Sequence, residues 1–258
     1  MPAPVNPFKA AITSGRTVIG CWLSLGDPLA TEIAGTAGFD WLLIDGEHTP
    51  YDISRMRMQL MALESSDSHA AVRVPVGETW IIKQVLDAGA QTVLVPMVET
   101  AEQARQLVDA VRYPPTGARG VGYSGARCSR FGAITDYGPT ADDQICLLIQ
   151  VENRAGIANL DDILAVDGID GVFIGPADLS ADMGHMGQLT HPEVQATIKD
   201  AFQRIEAAGK APGVLATTPE FTQDVLDWGA RFVATGLDLL ILAGALRTLS
   251  ARWKDAAG

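Results

Sequence analysis

The chain has 258 residues, 47% of them hydrophobic and 19% charged, a composition typical of a globular protein with room for one large core or two small ones. Its formal net charge of −12 makes nucleic acid and anionic membranes poor partners for the surface as a whole. The start of the chain lacks the apolar segment of a signal peptide, and the most apolar late stretch, residues 232–246, is too short to span a bilayer. We expect a soluble, cytoplasmic protein whose three cysteines (Cys21, Cys128 and Cys146) are reduced.

Eight short segments with the composition of β-strands occur in order, and most are separated by segments with helical periodicity. The strand-like segments are 17–25, 39–47, 69–75, 91–99, 145–152, 171–176, 211–217 and 231–238. The helical segments include 28–38, 79–89, 100–113, 191–209 and 218–229. Thr100 with Gln103 resembles a capping box, and Thr190 is predicted to be the N-cap of the helix that follows it.

This alternation predicts a single (β/α)8 barrel, the TIM-barrel fold, over residues 1–258. An open doubly wound sheet is the alternative, and the number of strands and the lack of a GxGxxG motif after the first strand make it the weaker one. The longest irregular stretch, residues 114–140, is predicted to be a functional or interface loop. It carries a basic cluster, Arg119, Arg127 and Arg130, which we place at a subunit interface in preference to a substrate carboxylate or phosphate.

Two carboxylates stand at the ends of consecutive strand-like segments. Glu152 closes ICLLIQVE, and Asp178 closes GVFIGPAD. The carboxyl ends of barrel strands form the face that carries the chemistry, and a carboxylate buried there needs a partner or a cation. A pair of protein carboxylates suits Mg²⁺ or Mn²⁺, which also accept water and substrate oxygens. The sequence therefore predicts a divalent-metal site at Glu152 and Asp178; the alternative is that both cap helices or pair with arginines.

A candidate base follows the second strand, in the segment DGEHTP. His48 can move a proton near neutral pH, directly or through a bound water. Asp45 lies three residues earlier and is a candidate to orient it, and Asp87, near the end of a later helix, is a second candidate carboxylate. The other histidines, His69, His185 and His191, lack the spacing of a zinc site and are assigned structural roles.

Further candidates for substrate binding stand at the same strand ends. Arg73 lies in an apolar segment, so its guanidinium needs an anionic or carbonyl partner, either a substrate keto oxygen or a structural ion pair. The small residues of Gly175-Pro176-Ala177 let the backbone N–H groups of Ala177 and Asp178 approach a carboxylate. Trp22 and Gln150 end the first and fifth segments and are candidates to line the pocket.

Several motifs together resemble the HpcH/HpaI aldolase family, the metal-dependent (class II) pyruvate aldolases, whose members include 4-hydroxy-2-oxoheptanedioate and 2-keto-3-deoxy-sugar-acid aldolases. They are DGEHTP (45–50), VRVP (72–75), LDAGAQTVLVPMVET (86–100), RYPPTGARGVG (112–122), IQVEN (149–153) and GPADLS (175–180). The resemblance covers about residues 8–250, and its specificity lies in the combination of motifs.

The resemblance implies a (β/α)8 barrel assembled as a homohexamer, a trimer of dimers, in which a C-terminal helix at about 239–254 packs on a partner subunit. It implies Mg²⁺, Mn²⁺ or a similar ion on Glu152 and Asp178. It assigns the base to His48, with its basicity raised by Asp45 and by Asp87 of the same or a neighbouring subunit. Arg73 would stabilise an enolate, and Gln150, Ala177 and Asp178 would hold the pyruvoyl group.

The predicted reaction joins the enolate of a 2-keto acid, pyruvate or hydroxypyruvate, to an aldehyde, or runs in reverse. A class I mechanism is disfavoured, because the strand ends offer no lysine for an imine and Lys83 lies within a helical segment. One alternative is a related enolate-forming enzyme, such as an oxaloacetate decarboxylase or an acyl-CoA lyase, although the acidic chain shows no basic surface for CoA. The other is a catalytically silent barrel that binds keto acids.

Overall fold

Eight parallel strands close into a barrel in chain order, as predicted. The computed structural model describes the backbone of residues 1–257 and the side chains of residues 1–254. The strands are β1 (Val18–Leu23), β2 (Trp41–Asp45), β3 (His69–Arg73), β4 (Thr92–Val95), β5 (Cys146–Val151), β6 (Gly171–Ile174), β7 (Ala211–Leu215) and β8 (Phe232–Leu237). β8 pairs with β1 to complete the barrel, with a shift of register between Gly20 and Trp22.

Helices alternate with the strands and surround them. In the described part of the chain they are α1 (Pro7–Thr13), α2 (Pro28–Gly35), α3 (Ile53–Ala62), α4 (Thr79–Asp87), α5 (Ala101–Val111), α6 (Tyr137–Ala141), α7 (Arg154–Ala158), α8 (Leu160–Leu164), α9 (Pro176–Asp182), α10 (Pro192–Ala207), α11 (Pro219–Asp227) and α12 (Asp238–Ala257). The segment 114–140 holds two short 3₁₀ turns and the start of α6. No helix in residues 1–257 is long and apolar enough to cross a membrane.

Local sequence accounts for several helix starts. The capping box at Thr100 and Gln103 is present at the start of α5. The predicted N-cap at Thr190 is wrong by one residue, because His191 holds that position and its Nδ1 accepts the N–H of Glu193 at 3.3 Å. His191 precedes Pro192, and a residue before proline is held in an extended conformation (here φ −60°, ψ 132°), so the helix begins only after it.

The amino-terminal end of the barrel is closed by aromatic packing. Phe8 of α1 packs on Trp41 and Phe232, with ring centroids 5.5 and 5.8 Å apart, and all three side chains are almost fully buried. A second, larger core of aliphatic side chains fills the space between the barrel strands and the helices. Because one end is filled in this way, the polar residues that follow the strands are left to form the other end.

Candidate active site

A buried arginine and two carboxylates form the centre of the carboxyl-end face. Arg73 and Asp45 end neighbouring strands and stand opposite each other in the register of β2 and β3. Arg73 Nε donates to Asp45 Oδ1 at 2.9 Å, and its second nitrogen donates to Asp45 Oδ2 at 2.8 Å. The remaining guanidinium nitrogen lies 2.8 Å from Glu47 Oε2. The guanidinium is therefore held in one orientation by a bidentate pair and a second carboxylate.

Asp45 is committed to this network. Trp22 Nε1 donates to Asp45 Oδ2 at 3.1 Å, and the backbone N–H of Glu47 donates to Asp45 Oδ1 at 3.0 Å. Burial alone would raise the pKa of Asp45, but the hydrogen bonds and charge of Arg73 outweigh it and hold that pKa below its usual range. Trp22 also lies beneath the guanidinium, with the Arg73 Cζ 4.8 Å from the ring centroid. Asp45 thus orients Arg73, and among the described side chains no hydrogen bond joins it to His48.

Glu152 is buried without a cationic partner among the described residues. It is 3% exposed, and its carboxylate accepts the N–H of Met97 at 3.0 Å and the side-chain amide of Gln150. Burial raises the pKa of Glu152, the two hydrogen bonds oppose that rise, and the negative charges of Asp178 and Glu47 add to it. Met97 has a φ of 58°, which is uncommon for a residue with a side chain.

The surroundings of Glu152 fit a hard cation. Asp178 is exposed in the first turn of α9, the helix that follows β6. β6 pairs with β5, the strand that leads to Glu152. The side-chain oxygen of Gln150 is buried without a hydrogen-bond partner in the described chain, so an unused oxygen ligand adjoins the carboxylates. Gly175 leaves room for the carboxylate, because a Cβ there would lie 2.5 Å from Glu152 Oε2. Two carboxylates and an amide oxygen are a donor set for Mg²⁺ or Mn²⁺.

Glu47 lies in the candidate site, although no sequence feature distinguishes it from its neighbours. Burial raises the pKa of Glu47, while the positive charges of Arg73 and His48 lower it. Its Oε2 is within ion-pair distance of Arg73 but lacks the alignment of a hydrogen bond. The sequence signal that could have identified Glu47 is its position two residues after Asp45, just beyond the end of β2.

His48 lies beside this network in the loop that follows β2. Its side chain is exposed, and its charge is close enough to influence Glu47. The loop is fixed at its next residue, since the Thr49 hydroxyl donates to the backbone carbonyl of Asp45. An exposed imidazole at the rim, next to Glu47 in the chain, is suitably placed to exchange a proton with a bound molecule.

Asp87 does not join the site within one chain. It is the last residue of α4, which runs back from the carboxyl-end face, and it therefore lies at the amino-terminal end of the barrel. There it accepts a hydrogen bond of 2.9 Å from Arg119, whose side chain is fully buried. The other two arginines of the basic cluster, Arg127 and Arg130, lie near Glu64 at 2.6 and 4.0 Å. Two carboxylates of the same chain therefore neutralise the cluster in part.

The remaining histidines lie away from the site. His69 begins β3 at the amino-terminal end, where its Nε2 is 2.8 Å from the Thr92 hydroxyl. His185 and His191 stack with their ring centroids 3.6 Å apart beside Glu193, a proximity that sequence spacing did not suggest. Parallel stacked imidazoles cannot both direct an in-plane lone pair at one ion, so the geometry favours the structural role predicted for them.

Comparison with known proteins agrees with this geometry. The sequence model of the HpcH/HpaI aldolase/citrate lyase family matches residues 18–245. The chain belongs to this family. It is 60% identical to a hydroxypyruvate/pyruvate aldolase of Roseobacter denitrificans, with 99% of this chain and 100% of that protein aligned. It is 52% identical to a 2-keto-3-deoxy-L-rhamnonate aldolase of Escherichia coli, over 97% of this chain and 94% of that protein.

Among solved structures, an HpcH/HpaI aldolase/citrate lyase family protein of Burkholderia cenocepacia superposes with a TM-score of 0.93 at 35% identity. The superposition covers 97% of this chain and 100% of that chain. The barrel predicted from the strand and helix pattern is therefore also the fold of the family. The resemblance inferred from the sequence motifs is confirmed.

Proposed function

We propose that this protein is a divalent-metal-dependent aldolase that forms or cleaves a C–C bond between a pyruvate-type 2-keto acid and an aldehyde. The observation that carries the proposal is that Glu152 is buried with no cationic side-chain partner among the described residues, at the same end of the barrel as an arginine whose orientation is fixed by Asp45 and Glu47. The names of the relatives support pyruvate or hydroxypyruvate as the keto acid. Both donors offer the same pair of oxygens, a carboxylate and the adjacent keto group.

Glu152 and Asp178 would hold the metal, Mg²⁺ or Mn²⁺ by the chemistry of their oxygens. When bound, such an ion withdraws electron density from a 2-keto acid and makes its C3 proton acidic. Gln150 and the backbone from Gly175 through Pro176 and Ala177 to Asp178 would line the carboxylate end of the substrate. The family and the orphaned Gln150 oxygen support this assignment.

In this proposal, one residue of the chain transfers the proton and another stabilises the negative charge that develops. His48 removes the C3 proton, for which an exposed imidazole at the rim of the site is suited. Arg73 donates to the oxygen on which negative charge develops, and it needs little reorganisation because Asp45 already holds its guanidinium. Trp22 supports that guanidinium from beneath. Lys83 lies in α4, on the outer ring of helices, and takes no part in this scheme.

The protein would act as a homo-oligomer, a hexamer built as a trimer of dimers, with Asp87 contributed by a neighbouring subunit. Two features support this. Asp87 and His48 lie at opposite ends of one barrel, so only a second copy can bring them together. Asp87 also borders a groove of about 760 Å³ lined by Met58, Met61 and Phe131, which are 40%, 54% and 74% exposed. A cytoplasmic location is supported by three free cysteines.

The experiment is the exchange of pyruvate methyl protons in D₂O, followed by NMR with added Mn²⁺ or Mg²⁺, with EDTA, and for His48→Ala and Glu152→Gln. We expect rapid exchange only when metal, His48 and Glu152 are all present. We also expect Mn²⁺ to raise the melting temperature of the wild type and to leave that of Glu152→Gln unchanged, because ligands stabilise only a protein that binds them. Exchange that persists in EDTA or in His48→Ala would contradict the proposal.

A further inference from the structure

Arg119 is a fully buried charge outside the candidate active site. It is 0% exposed, and its guanidinium lies over the ring of Tyr113, with the Cζ 4.3 Å from the ring centroid. Tyr137 is also buried and belongs to the same hydrophobic cluster as Tyr113. Two of the three guanidinium nitrogens, Nε and Nη1, have no hydrogen-bond partner in the described chain. A guanidinium enclosed by aromatic rings with unsatisfied donors is costly to bury.

A single carboxylate, that of Asp87, offsets the free-energy cost of burying the Arg119 charge. The third nitrogen of Arg119 donates to Asp87 Oδ1 at 2.9 Å. Asp87 is 26% exposed, so it is held on one side by a buried donor and reaches the surface on the other. Asp87 Oδ2 takes part in no hydrogen bond within the described part of the chain. A buried arginine whose one carboxylate partner points outward is better suited to orienting that carboxylate than to stabilising the fold.

We infer that Arg119 is a positioning residue that fixes the Asp87 carboxylate and presents its free oxygen at the surface of the subunit. The inference rests on the proposed function, in which Asp87 completes the site of a neighbouring copy. The Tyr113 ring beneath the guanidinium and the full burial of Arg119 limit rotation of the guanidinium, so the Asp87 oxygen is presented in a fixed direction. Arg119 acts through Asp87 and touches no substrate.

The test measures kcat and KM for pyruvate methyl exchange in the full-length, metal-loaded protein. The variants are Arg119→Lys, Asp87→Asn and the two combined. Arg130→Lys is the matched control, because Arg130 lies in the same loop and is 69% exposed. We expect Arg119→Lys to lower kcat by about 10- to 100-fold while the KM for pyruvate stays unchanged, since Arg119 acts through Asp87 on proton transfer and contacts no substrate atom. The double variant should be no slower than Asp87→Asn alone.

Three outcomes overturn the inference. Arg119→Lys could match Arg130→Lys while Asp87→Asn is impaired, or the losses of the two single variants could multiply in the double variant. A parallel rise in KM would indicate a general structural effect. If Arg119→Lys does not fold, the comparison is between Asp87→Asn and Arg119→Met/Asp87→Asn, where equal exchange rates support the inference and a further loss contradicts it. Lack of exchange in the wild type contradicts the proposed function as well.

Discussion

At Gly175 the backbone passes so close to Glu152 that a single methyl group has no room. A Cβ at this position would lie 2.5 Å from Glu152 Oε2 and 2.8 Å from Glu152 Cβ, both shorter than any normal contact. The amide nitrogen of Gln150 also lies 3.2 Å from this Cβ position, so the added methyl group would be crowded by Gln150 as well. The glycine of the GPAD segment therefore shapes the carboxylate site directly, in addition to allowing close approach of the backbone.

The substitution Gly175→Ala tests this packing. We expect it to displace the Glu152 carboxylate and to weaken Mn²⁺ binding by about 10- to 100-fold, the loss typical when the surroundings of a metal ligand are changed. Binding is measured by isothermal titration calorimetry. Gly125→Ala is the control, because no atom lies within 4 Å of a Cβ at Gly125. Unchanged Mn²⁺ affinity in Gly175→Ala would show that Glu152 is not a ligand or that the site relaxes freely.

Most residues of the candidate site could be proposed from the sequence, because each one ends a buried strand or follows it closely. Glu152, Asp178 and Arg73 are polar side chains at the ends of apolar segments, and that contrast is a local property. The hydrogen-bond partner of Asp45 could not be predicted from local sequence in this way. Asp45 and His48 are close in sequence, but the register of β2 and β3 places Asp45 opposite Arg73. Pairing between neighbouring strands is a property of the fold, and sequence distance does not report it.

At the scale of the secondary-structure elements, α1 determines the environment of the start of β3. Phe8 stacks on the imidazole of His69, with the ring centroids 5.8 Å apart, and the Thr92 hydroxyl lies 2.8 Å from His69 Nε2. Burial lowers the pKa of His69 from 6.5 to about 4, since the charged imidazolium would lose its hydration there. The contact between α1 and β3 therefore depends on a neutral histidine.

This arrangement makes stability depend on pH in a defined window. The pKa of His69 is lower in the folded state than in the unfolded state, so its contribution is complete above about pH 6.5 and is lost as the pH falls towards 4. Over that window the wild type should lose at most about 3.5 kcal/mol more free energy of unfolding than His69→Gln, from the roughly 1.4 kcal/mol that corresponds to one pKa unit. Urea titrations at a series of pH values measure the difference. Parallel stability curves for the two proteins would rule out the coupling.

At the scale of the whole molecule, α12 is an exception to the barrel pattern. The side chain of Asp238 at its start accepts the backbone N–H groups of Ser24 and Leu25 at 2.8 and 3.2 Å and so anchors the helix. Beyond that point the helix exposes large apolar side chains: Leu240, Ile241, Leu242, Leu246, Leu249 and Trp253. A helix with so much exposed apolar surface and so little packing against its own barrel is typical of an oligomer interface.

The predicted role of α12 in assembly is tested by placing a charge in this surface. Leu246 and Trp253 are 57% and 65% exposed, so Leu246→Glu and Trp253→Glu should cost the isolated barrel little. We expect sedimentation velocity to show an oligomer for the wild type and smaller species for the double variant. Lys254→Glu, a change next to Trp253 that alters charge without removing apolar surface, serves as the control. A wild type that sediments as a 27.3 kDa monomer would refute the assembly.

The polar side chains at the carboxyl-end face are unevenly distributed around the barrel. They follow β2, β3, β5 and β6, whereas β7 and β8 end in the half-buried aliphatic residues Leu215 and Leu237. The groups proposed to bind and ionise the keto acid therefore lie on or after β1, β2, β3, β5 and β6, and none of them follows β7 or β8. We therefore expect changes at the ends of β7 and β8 to alter which aldehyde is accepted and to leave enolate formation intact. Such a barrel can evolve a new acceptor, or be engineered for one, while its first half-reaction stays intact.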